Sequence, residues 1–246
     1  MKRKISPRSY EKLCFASYLS LFAIVVTGGL VRLTGSGLGC SDWPQCNSEK
    51  FVDVSSMHGA IEQINRLFTG FVAAIVIAAV LGSLFLAERK RSLTRLSLGL
   101  VVGVLAQVVL GGIVVLTGLN PFANMGHFLL SMVLIANAVV LCRHAREERN
   151  PVSDCSALEK KYLSGIGVLF ALAVISGTVV TATGPHAGDE NAVRFGFAIS
   201  TVARIHGFFV LLSLLALLLV LLKVRKCAKA REFLEQRLAV FLGVGL

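Results

Sequence analysis

The sequence predicts an all-α protein, a polytopic transmembrane helix bundle, and three observations carry that prediction. First, 55% of the 246 residues are hydrophobic and only 16% are charged, too apolar for a soluble domain of this size. Second, the apolar residues gather into six runs, each of about 20 residues, the length that crosses a ~30 Å hydrocarbon core. Third, 20 of the 25 basic residues fall in alternate breaks: Lys2 to Lys12, Arg89 to Arg95, Arg143 to Lys161 and Lys223 to Arg237. That alternation is the positive-inside pattern, and it predicts a multi-pass protein of the cell membrane with a cytoplasmic amino terminus. It also explains the net charge of +11 as a topology signal and excludes nucleic acid as the partner.

The first predicted span, 13–33, follows a basic amino terminus. Its apolar stretch is longer than a signal peptide's and no small-x-small site precedes Gly28, so it is retained. The outer loop after it holds Cys40 and Cys46, a close pair in an oxidising compartment, which reads as a disulfide closing a small loop. Two roles stay open for it: a loop staple or a redox-active pair. The second span, 61–87, is opened by His58-Gly59 and carries Glu62, Asn65 and Arg66. The third, 96–116, ends near Gly111-Gly112, glycines suited to close helix packing. The fourth, 122–142, places His127 six residues after Pro121, about 9 Å into the helix at 1.5 Å per residue. The fifth, 162–183, and the sixth, 201–222, complete the set.

The chain also echoes itself. Thr34-Gly35 and Thr183-Gly184 are 149 residues apart, and His58-Gly59 and His206-Gly207 are 148 apart. The echo implies two related halves of four helices, the first over 1–146 and an incomplete second over 147–246. Nine residues follow Arg237, which is only the start of a seventh span.

Four of the five histidines, His58, His127, His186 and His206, lie at or near outer ends of spans. Ionisable rings are costly in hydrocarbon, so a layer of them marks a site, and neutral imidazoles across a bundle suit a haem iron. His186 sits in an outer loop and ranks below the other three. Glu62 shares a helical face with His58 and Arg66, and reads either as a structural i,i+4 pair with Arg66 or as a functional carboxylate. Arg32, Arg66 and Arg204 near the same boundary either snorkel or hold carboxylates such as haem propionates. No Cys-x-x-Cys-His, phosphate-binding loop or dinucleotide fingerprint is present.

Gly29-Leu-Val-Arg-Leu-Thr-Gly-Ser-Gly-Leu-Gly-Cys40 with Asp42-Trp43-Pro44 and Cys46 resembles the first span and outer loop of the haem A synthase family. Gly111 to Pro121 with His127 to Ser131, Thr183 to Asp189, and Ala203-Arg-Ile-His206 are similar to its later segments, in order. Many members read Glu-x-x-His-Arg in the second span, where this chain has Glu62-Gln-Ile-Asn65-Arg66; a histidine before the glutamate resembles the actinobacterial-type variant. The resemblance implies a membrane oxidoreductase that oxidises a methyl group of haem O to the formyl group of haem A. It implies His58 and His127 as substrate-haem ligands in the first half, Glu62 as the catalytic carboxylate, and His206 as one ligand of a haem b cofactor in the second. Against the family the chain is truncated before its last two helices. The expected partners are therefore the lipid bilayer, haem O and the membrane enzyme that makes it, and a second copy or second polypeptide supplying the missing helices. A non-catalytic haem-binding or electron-transfer protein, or an inactive synthase, is the alternative, and it needs the same histidines without Glu62.

Overall fold

The computed structural model describes residues 4–147, 157–185 and 187–224, so His186 and the predicted start of a seventh span lie outside the described residues. Six helices occupy most of them: α1 Pro7–Leu33, α2 Met57–Leu84, α3 Arg91–Leu116, α4 Pro121–Glu147, α5 Ala157–Thr183 and α6 Ile199–Val224. All six are long and apolar enough to cross a membrane, and the chain is a polytopic all-α membrane protein.

Each helix begins before its predicted apolar run, and for α1 and α2 a serine cap rather than hydropathy sets the start. Ser6 caps α1, its Oγ accepting from the Ser9 N–H with Pro7 in the first turn; Ser56 caps α2 by accepting from Gly59. Two helix ends share one device. After α1, the Gly35 N–H donates to Arg32 O and the Ser36 N–H to Val31 O, with Gly35 at φ +66°. After α3, Gly118 donates to Val115 O and Leu119 to Val114 O, with Gly118 at φ +62°. Both are Schellman motifs, and both are written Leu-Thr-Gly in the sequence.

The chain forms two compact units. In the first, α1 packs on α2 and α4, and α3 packs on α2 and α4, closing a four-helix bundle. Without a hydrophobic force between helices in lipid, small residues and polar bonds hold such a bundle. Thr27 Oγ1 donates to Asn65 Oδ1 (2.7 Å), Ser83 Oγ to Thr94 Oγ1 (3.1 Å) and Asn137 Nδ2 to Leu96 O (3.0 Å). Leu67, Phe71, Val102 and Leu105 are exposed, as lipid-facing side chains must be.

The segment Pro185–Arg194 belongs to this first unit. Ala187 and Ala192 pack with Val114 and Leu119, and the Gly37 N–H donates to Gly188 O (2.9 Å). In the second unit α5 packs against α6, and the Phe195 N–H donates to Ala182 O (3.0 Å).

Candidate functional site

The site gathers at the disulfide end of the first unit. Cys40 and Cys46 are bonded, as the sequence predicted, and both are buried. The loop they close is fastened to α2 by one ion pair and its surroundings. Glu62, 5% exposed, accepts from Arg66 through Oε1 (Nη2 at 2.6 Å, Nε at 3.0 Å) and from the Cys40 N–H through Oε2 (2.8 Å). Arg66 Nη1 in turn donates to Asp42 O (3.1 Å) and Gln45 O (3.2 Å). Arg66 thus spends its guanidinium on the loop, the structural reading of the i,i+4 spacing.

Within the loop, Asp42 accepts from the Trp43 N–H (2.7 Å) and from Gln45 Nε2 (3.0 Å). Those donors, the Trp43 N–H foremost, hold its carboxyl below the ordinary carboxylate range. Asp53 is held lower still, at about 2, chiefly by Ser55, with Asn47 and Lys50 adding to it. The Trp43 indole lies against Gly112 of α3, where a Cβ would come within 2.7 Å of Cδ2. Sequence reasoning gave Gly111-Gly112 to helix packing; here side chains fill the gaps, Trp43 over Gly112 and the His127 ring over Gly111.

His58 is the second residue of α2 and is exposed, with Nδ1 2.9 Å from Ser36 Oγ. His127 is half-buried in α4; neither ring nitrogen makes a hydrogen bond among the described residues, and Nδ1 is buried. Its main chain is held instead, Gln107 Nε2 donating to His127 O (3.0 Å) and to Ser131 Oγ (2.7 Å). Arg32, in the last turn of α1, is half-buried. Asn65, where the resemblance expects a histidine, serves the α1–α2 contact through Thr27.

In the second unit, His206 Nδ1 is 3.0 Å from Ala173 O and 3.3 Å from Ser176 Oγ. A carbonyl only accepts, so Nδ1 carries the proton and Nε2 keeps its lone pair. Gly177 makes room: a Cβ there would lie 3.0 Å from His206 Cε1. Arg204, on the same turn, is exposed.

Among the described residues no group of three or more His, Cys, Asp or Glu gathers to hold a bare metal ion. A haem asks less, since its iron takes only axial side-chain ligands. Each unit by itself offers a donor that fits one: in the second His206 presents Nε2, and in the first His127 has a buried Nδ1 without a hydrogen-bond partner among the described residues, which is costly unless something else satisfies the ring. Sequence reasoning missed the Ser36 contact and the Trp43 seat, whose partners are 22 and 69 positions away with no local pattern to announce them.

A family model described as cytochrome oxidase assembly protein matches residues 11–58 and 51–188, covering α1 to the loop after α5. The chain belongs to this family, that of the haem A synthases. It is similar to proteins named heme A synthase from Bacillus cereus and Bacillus anthracis, 28% identical over 178 residues, covering 70% of this chain and 57% of theirs. That of Bacillus mycoides is 27% identical over the same 178 residues, again 70% of this chain and 57% of the relative. The chain thus matches a little over half the length of these curated relatives. No solved structure matches.

Proposed function

We propose that the chain is a haem A synthase-like membrane oxidoreductase that converts the methyl group of haem O to the formyl group of haem A. The observation that carries this is the family match, which runs through the helices bearing His58, Glu62 and His127. In this reading residues 1–146 form the substrate-haem half and 147–246 the cofactor-haem half, with the amino terminus on the cytoplasmic side and the disulfide loop outside.

His58 and His127 hold haem O, and Arg32 takes a propionate. His206 holds haem b, with Arg204 available to its propionates; bound there, haem b supplies electron transfer. Arg66 is withdrawn from propionate binding because its donors already serve Glu62, Asp42 and Gln45. Turning the methyl into a formyl group requires an external electron acceptor and an oxygen donor, water or dioxygen, and Glu62 would accept a proton released in that oxidation or balance the charge that develops. The disulfide loop excludes water over it and sets its position through the Cys40 N–H.

The test is to express the full chain and Glu62→Gln in membranes that accumulate haem O, and to chromatograph the extracted pigment. The expected result is haem A from the native chain, and bound haem without haem A from the variant. Equal haem A from both contradicts a catalytic Glu62. One observation favours a second reading, a haem-binding or electron-transfer protein: both Glu62 oxygens are engaged in fastening the loop, a role that needs no catalysis. Bound haem with no haem A from either chain selects it.

A further inference from the structure

A line of hydroxyls leads from the end of α1 to His58. Thr34 Oγ1 lies 2.9 Å from Leu30 O and 3.2 Å from Val31 O, and 2.9 Å from Ser36 Oγ; Ser36 Oγ lies 2.9 Å from His58 Nδ1. Each hydroxyl has one proton to give, and carbonyls only accept. When Thr34 gives its proton to these carbonyls, Ser36 donates to Thr34 and accepts from His58 Nδ1–H, which leaves the lone pair of the neutral ring on Nε2. The reverse direction, Thr34 to Ser36 to Nδ1, would put the ring proton on Nε2, and the tautomer of the native ring separates the two.

Three features hold the relay in place. Ser36 is fully buried, where an unmade hydrogen bond is costly. The Schellman turn at Gly35 folds Ser36 back beside the last turn of α1. Gly39 packs so closely on the His58 peptide that a Cβ would collide with it, which fixes the ring's backbone against the same loop. His206 reaches the same tautomer by another route, through Ala173 O.

We infer that Thr34 and Ser36 are positioning residues that fix the His58 tautomer and so present Nε2 for ligation. The ligation clause rests on the proposed function; the tautomer does not. Loss of an orienting partner of this kind typically costs about 10–100-fold in metal affinity.

The test uses the full chain in detergent, labelled with 15N-histidine, and read without haem first. Native His58, assigned by comparison with His58→Ala, is expected as the Nε2-lone-pair tautomer. Thr34→Val removes the acceptor for the Ser36 proton, which then turns to His58 Nδ1 and moves the ring proton to Nε2. Thr34→Ser restores the native pattern. Thr34 is exposed, helical content by circular dichroism checks that each variant keeps the fold, and a packing role alone would leave the tautomer unmoved. Haem O titration is then expected to show affinity about 10–100-fold weaker in Thr34→Val, returning in Thr34→Ser. A native His58 protonated at Nε2, or one tautomer in every variant, overturns the inference. Haem affinity unchanged in His58→Ala, with the tautomers as expected, overturns the ligand reading alone.

Discussion

Glu62 and Arg66 form a buried pair that also fastens the disulfide loop, so the consequence of separating them is large. Arg66→Ala leaves a buried carboxylate without its cation, and the expected loss of stability is about 3–5 kcal/mol, read by denaturant titration in detergent. Replacing both partners with uncharged residues of like volume is expected to cost much less, because no charge is stranded. Their i,i+4 spacing was legible in the sequence; the Cys40 N–H was not, since a backbone donor in a distant loop leaves no mark on composition. Asp53 gives the loop a pH dependence. Its carboxyl titrates at about 2 in the folded chain, below its ordinary value of 3.8, so its contribution is complete above that value and is lost as pH falls through about 2. Trp43 is the chain's one tryptophan, and its emission is expected to report the loop loosening over that window. A flat emission from pH 5 to about 2 contradicts this.

At the scale of elements, glycines set how near the loop and helices approach. Gly39 faces the His58 and Gly59 backbone, which cannot yield as a side-chain end can. Gly39→Ala is therefore expected to lift the loop from the start of α2 and to shift Trp43 emission toward that of a solvated indole. Gly112→Ala meets the indole itself, where overpacking of this kind costs about 1–3 kcal/mol. Native emission in both variants would remove the loop from its seat on α2 and α3. The six helices were legible from apolar length alone, within a few residues at each end. The ends differed because Ser6 and Ser56 extend helices through capping, which hydropathy does not see. The Leu-Thr-Gly that ends both α1 and α3 was not read as a repeat in the sequence, and its physical meaning is a helix stop that the two share.

On the scale of the molecule, hydropathy and family resemblance led to the same place, a membrane bundle with imidazoles at one end of its first unit. The histidines were legible because ionisable groups near hydrocarbon are rare and stand out. What they bond to was not, because His127 is distinguished by contacts it lacks, and His58 and His206 by a tautomer set across the fold. The most direct measurement is the pigment extracted from the purified full chain, made in cells that form haem O and have no other source of haem A. The synthase account expects haem A in that extract. Bound haem O or haem b with no haem A would contradict it.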